Sequence, residues 1–94
     1  MKTFRRDKLW RLAEKGKLVL VESYHFDDMY GATQTKKEMP VKVLSPGGSR
    51  EVGVCYVSKY EFEGYGRAWE NPNGTVTLYV HSNWTCNYDF RVLP

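Results

Sequence analysis

The apolar positions of this chain change period at Gly16. Ahead of it, Leu9, Trp10, Leu12 and Ala13 gather on one broad side of a helical wheel, while Lys8, Arg11 and Lys15 fall within about 60° of one another on the opposite side. Phe4 to Lys15 contains no Gly or Pro, Thr3 or Asp7 can supply the N-cap oxygen, and Gly16 stands where a left-handed residue closes a helix. The pattern predicts a basic amphipathic helix in residues 1–16, docked by its apolar side. Phe4 lies among the basic residues, so either it packs at the helix end or the helix starts nearer Asp7.

Residues 17–94 read as an antiparallel β region. Leu18-Val19-Leu20-Val21, continuing to Phe26, is rich in β-branched residues and predicts a central strand covered on both faces. Residues 27–37 have no period and predict a long loop, with Met29 and Tyr30 between Asp27-Asp28 and Lys36-Lys37. Pro40–Leu44 begins with Pro, as an edge strand does. After the turn signal of Ser45 to Ser49, Arg50–Lys59 predicts a strand with Val52, Val54 and Tyr56 on one face. Tyr60–Glu70 moves its aromatics from even to odd positions across Gly64, which predicts a bulge or sharp bend there. Asn71-Pro72-Asn73-Gly74 is a hairpin turn. Val76, Leu78 and Val80 then point inward with Thr77, Tyr79 and His81 outward. Trp84, Cys86, Tyr88, Phe90 and Val92 point inward with Thr85, Asn87, Asp89 and Arg91 outward. The expected fold is a single α+β domain spanning residues 1–94: an N-terminal amphipathic helix packed on a bent sheet of five or six antiparallel strands, or on a small open barrel.

Charge divides the chain unevenly. Up to Lys17, seven basic residues face two acidic ones, whereas residues 18–94 carry seven basic and nine acidic, so the net +3 is a strongly basic element on a faintly acidic body. Asymmetry of this kind points to an acidic partner for the helix. Ninety-four residues, 41% of them hydrophobic and 27% charged, suit one folded domain and leave no room for a cofactor domain beside a substrate domain. Met1 leads straight into Lys2-Thr3-Phe4-Arg5-Arg6, and no apolar run approaches the ~18 residues that span a bilayer. A cytoplasmic location without a membrane partner is expected, with Cys55 and Cys86 as reduced thiols and the Asn73-Gly74-Thr75 and Asn83-Trp84-Thr85 sequons as chance matches. One disulfide is the alternative in a secreted chain.

Candidate chemistry narrows further. His25, His81, Cys55 and Cys86 make the inventory of a tetrahedral zinc site, but only His81 and Cys86 are close in sequence, and alternation points them to opposite faces. His25 beside Asp27 and Asp28 is an imidazole near two carboxylates. Glu61 or Glu63, Arg67 and His81 supply the base, phosphate clamp and acid of a metal-free ribonuclease, yet a turn that pairs Trp69 with Val76 or Leu78 sets Arg67 inward and His81 outward. Gly47-Gly48 and Gly64-Tyr65-Gly66 are too short for a nucleotide fingerprint, so neither metal nor cofactor is expected.

What these residues favour is a small non-enzymatic binding module, an accessory or inhibitory protein that occupies the surface of a protein partner. Its expected contacts are Lys8, Arg11 and Lys15 on the helix, for charge steering, and Met29, Tyr30, Lys36 and Lys37 in the loop, as an aromatic anchor with a charged surround. The alternatives are a nucleic-acid-binding protein using the basic N-terminal helix and a small metal-free ribonuclease-like enzyme. Self-association as a homo-oligomer is compatible with so small a domain.

Overall fold

Lys2 and Thr3, at the head of the presumptive helix, are instead strand. The structure, a computed structural model, describes residues 2–29, 31–45, 51–59, 66–81 and 85–94. Its elements run β1 (Lys2–Thr3), α1 (Arg6–Glu14), β2 (Leu18–Asp27), β3 (Gly31–Thr35), β4 (Met39–Val43), β5 (Cys55–Val57), β6 (Gly66–Glu70), β7 (Val76–His81) and β8 (Thr85–Val92). The strands form one sheet in the order β1-β6-β7-β8-β2-β4-β5, with β3 on the far half of β2. Among the described residues only the β4–β5 pair is parallel. The α+β class and the helix-on-sheet packing hold, whereas the count of five or six strands and the wholly antiparallel β region do not. The sheet is open, ending at β1 and β5.

The helix is shorter than residues 1–16 because its N-terminal neighbours have a better use for their backbone. Lys2 and Thr3 pair with Glu70 and Trp69, and the Phe4 N–H donates to the Ala68 carbonyl at 3.0 Å, satisfying the outer edge of β6. Arg5 becomes the N-cap in place of Thr3 or Asp7, with no side-chain cap. The C-terminus follows the sequence pattern. Gly16 takes φ +69°, its N–H donates to the Ala13 carbonyl (3.1 Å) and the Lys17 N–H to the Leu12 carbonyl (2.9 Å), the Schellman arrangement that satisfies late helix carbonyls.

Leu9 and Ala13 are buried in the core beneath α1, and Phe4, Trp10 and Leu12 pack against its margin. α1 touches both β4 and β6, which lie four steps apart in the sheet. At roughly 4.8 Å per step these strands lie ~19 Å apart, and the nine residues of α1 rise about 13.5 Å. The helix therefore runs across the sheet, with its N-terminal end beside β6 and its C-terminal end beside β4. Leu18, Leu20, Val76, Leu78, Val80, Cys86 and Phe90 close the core from the sheet side, in the alternation expected for β7 and β8. β2 is central, as its apolar run predicts, flanked by β8 on one edge and by β4 and β3 on the other.

Three local expectations change. The loop at 27–37 is a hairpin whose second strand, β3, is polar and largely exposed and so shows no apolar period; the Met29 N–H donates to Asp27 Oδ1 at 2.7 Å in its turn. The segment expected as an edge strand at Pro40–Leu44 is β4, set between β2 and β5. Of the strand expected over Arg50–Lys59 only Cys55–Val57 forms, because residues 52 and 53 turn; Val52 is exposed and Val57 enters the core. The bulge expected at Gly64 lies outside the described residues, as does Trp84.

Candidate functional site

Two departures from strict alternation build the open face of the sheet, the one turned away from α1. In the β2–β8 pair, Leu20 faces Phe90 and Glu22 faces Asp89, leaving Val21 as an extra residue. One inserted residue flips every later side chain of its strand. Glu22 and Tyr24 thereby join Asp89 and Asn87 on the open face, and His25 turns to the side of Cys86.

The second departure is the length of the loop between β6 and β7. The Asn71 N–H donates to the Thr75 carbonyl (2.8 Å) and the Gly74 N–H to the Asn71 carbonyl (3.0 Å), with Gly74 at φ +86°. This is a three-residue loop closed by a left-handed glycine, one residue longer than the two-residue turn that would pair Trp69 with Val76. Trp69 pairs with Thr77 and Arg67 with Tyr79, so both take the open face rather than the inward position expected.

Glu22 and Tyr24 of β2, Gln34 of β3, Trp69 of β6, Thr77 of β7, and Asn87 and Asp89 of β8 line a cleft of about 280 Å³ on this face. One wall is a one-way chain of hydrogen bonds. The Trp69 indole Nε1–H donates to Asn71 Oδ1 (3.1 Å), the Asn71 amide donates to Thr77 Oγ1 (2.8 Å) and Thr75 Oγ1 (3.0 Å), and the Thr77 hydroxyl donates to Asp89 Oδ1 (2.5 Å). Because Asn71 donates into the Thr77 hydroxyl, the hydroxyl proton goes to Asp89. Thr77 is only 6% exposed, so little water competes for it. The Gln34 amide likewise donates to Glu22 Oε1. Asp89 Oδ2 and Glu22 Oε2 have no such partner among the described residues. Beside the cleft, Trp69 and Tyr79 lie 6.4 Å apart between ring centroids, and Tyr79 stacks on His81 at 6.3 Å. The cleft is rich in acceptors and aromatic surface, and none of its lining residues is basic.

The residues singled out from sequence lie elsewhere. Lys8, Arg11 and Lys15 are exposed on α1, as the wheel predicts, and make no ion pair among the described residues; Lys8 sits over the Phe4 ring at 5.2 Å. Met29 is 83% exposed at the tip of the β2–β3 hairpin, Lys36 and Lys37 are exposed beyond β3, and Tyr30 lies outside the described residues. The helical cations and Met29 are not brought together, and the expected anchor is itself divided, because Lys36 and Lys37 follow the end of β3 that pairs with Ser23, away from the tip. The hairpin tip stands at the end of β2 opposite Leu18, about 30 Å of strand away from the end that follows α1.

The other chemical candidates are rearranged as well. The register returns Arg67 and His81 to the same face, contrary to expectation, while Glu61 and Glu63 lie outside the described residues. His81 Nδ1 contacts Thr85 Oγ1 at 3.0 Å, and His25 Nδ1 contacts Cys86 Sγ at 2.9 Å. Cys55 and Cys86 are not bridged. Among the described residues no three His, Cys, Asp or Glu side chains gather as a metal group, and no helix is long and apolar enough to cross a membrane.

Sequence reasoning set Thr77, Asn87 and Asp89 outward but assigned them no role. Their partners come from four other segments of chain, and the two inserted residues that align them leave no motif. No protein-family model, curated protein or solved structure matches this chain.

Proposed function

We propose that this chain is a small non-enzymatic binding module that works by protein–protein contact, with the cleft on the open sheet face as its principal contact surface. The observation that carries it is the convergence of seven polar and aromatic side chains from five strands on one cleft, with orientation fixed by the Trp69–Asn71–Thr77–Asp89 chain. Few convergent polar groups set against aromatic walls are the usual make-up of a recognition site. Lys8, Arg11 and Lys15 form a second, oppositely charged face that steers and orients encounters. Met29, at the hairpin tip, and Lys36 and Lys37, beyond the opposite end of β3, serve as accessory contacts, as does Tyr30. The helical cations and the open-face aromatics are on opposite sides of the sheet, so they do not form one groove for a nucleic-acid strand, which favours a protein partner over RNA or DNA.

The test is capture from nuclease-treated lysate with the tagged chain, with Trp69→Ala and a combined Lys8→Ala, Arg11→Ala, Lys15→Ala variant in parallel. A protein partner that resists moderate salt and is lost from either variant is the expected outcome. Nucleic acid alone, released at low salt when nuclease is omitted, would overturn the proposal.

A further inference from the structure

We infer that the open-face cleft takes the guanidinium group of an arginine side chain presented by the protein partner, an inference that rests on the binding-module proposal above. The lining contains two carboxylates and no basic residue, and the chain's own nearby guanidinium groups are directed elsewhere. Arg91, two residues beyond Asp89, is held by Glu38 at 3.3 Å, and Arg67 lines an adjoining groove that shares Trp69 with the cleft and runs to the N-terminal end of α1. Glu22 and Asp89 form no ion pair among the described residues, and the cations that follow β3 on the Glu22 side, Lys36 and Lys37, are exposed.

Shape and donor count select the cation. A volume of about 280 Å³ lies just under the ~300–1,000 Å³ of small-molecule sites, a size for one side chain rather than a nucleotide. Guanidinium is planar and carries five N–H donors in a fixed fork. Asp89 Oδ2 and Glu22 Oε2 are the acceptors left over once Thr77 and Gln34 have claimed their sister oxygens, and the Asn87 amide oxygen adds a third. Trp69 and Tyr24 supply the aromatic surface on which a planar cation stacks. A lysine ammonium matches the charge but not the plane or the fork. The cationic face of α1 repels the same partner and turns it toward the cleft.

The experiment is a solution NMR titration of the full chain with N-acetyl-argininamide, with its neutral isostere N-acetyl-citrullinamide, and with N-acetyl-lysinamide. Saturating shifts confined to the Trp69 indole N–H and the amides around Glu22, Thr77, Asn87 and Asp89 are expected for the arginine probe, at least ten-fold stronger than for citrulline and stronger than for lysine. Asp89→Asn, which keeps an oxygen for the Thr77 hydroxyl, and Glu22→Gln should each abolish that preference while the spectrum stays dispersed. Equal response to citrulline, a stronger response to lysine, or no response in the cleft would overturn the inference. The two proposals fail separately: a partner lost on Trp69→Ala, in a cleft blind to the difference between arginine and citrulline, sinks the guanidinium inference and leaves the binding module standing.

Discussion

Glu22 and Asp89 are opposed across the β2–β8 pair, two carboxylate residues on one face brought level by the extra residue Val21. Like charges directly opposite in a sheet oppose folding, by an amount within the 0.2–1 kcal/mol range of cross-strand pairs. Glu22→Gln should therefore stabilise the protein by a few tenths up to about 1 kcal/mol at neutral pH, since the new amide still offers Gln34 an oxygen. Urea denaturation at low and high salt checks this, because the gain should shrink as salt screens the pair. A gain in stability joined to a loss of ligand is the pattern of a site that works against its own fold.

Thr77 should show the opposite sign. Thr77→Val keeps the shape but strips Asp89 of its donor and the Asn71 amide of one acceptor. A loss of about 1–3 kcal/mol follows from leaving partly buried polar groups unmatched. Thr77→Ser, which restores the hydroxyl, should recover most of it, and chemical denaturation of the two variants side by side distinguishes the hydrogen bond from the packing.

At Gly16 the cost is purely conformational. A Cβ built there meets nothing within 4 Å, while φ is +69°. Gly16→Ala should cost roughly 1–2 kcal/mol, the penalty of left-handed backbone for an L-residue, and Gly16→Asn should cost less. Equal melting temperatures for wild type and the alanine variant would contradict the cap as described.

The pH dependence of the helix start has a definite sign. The Arg5 guanidinium donates to both oxygens of Asp7 and holds its carboxyl below the ordinary 3.8. A carboxyl more acidic in the folded state binds fewer protons there, so its contribution is full above the unfolded value and disappears as pH falls through the folded one. The pair is exposed, hence weak and salt-sensitive. Asp7→Asn should lower the melting temperature slightly at neutral pH and leave it unchanged at low pH, which flattens the acid limb. Lys42, raised by its hydrogen bond to Glu51, behaves in reverse: its contribution is full below 10.5 and is lost as pH rises through the folded value.

Much of the fold is written locally. Gly16 ends the helix, Asn71 to Gly74 make a turn, and Val76, Leu78, Val80, Cys86 and Phe90 alternate into the core because each of those signals acts within a few residues. β3 was hidden because Gly31 to Thr35 pairs through its backbone while its side chains face water, which leaves no hydrophobic period to read. β1 was hidden because the reason for its extension is the edge of β6, more than sixty residues along the chain. The cleft depends on two single-residue insertions, Val21 in β2 and the third residue of the β6–β7 loop. Either one, if misplaced, exchanges the two faces of a strand, so the outward setting of Asp89 was legible while its meeting with Glu22 and Trp69 was not.

The placement of β8 between β7 and β2 also governs when this chain can fold. β8 follows every other strand in sequence, yet it is the seam that joins the β6–β7 half of the sheet to the β2–β3–β4 half. While a ribosome still holds residues 85–92, each half can form its own hairpin, but the two cannot meet and Leu9 has no closed interior to enter. Pairing of Leu18 with Val92 spans most of the chain, so the decisive step is non-local and slow. Until it occurs the nascent protein carries two unpaired strand edges, each an invitation to a neighbouring chain, and its safe production depends on how quickly residues 85–92 leave the exit tunnel.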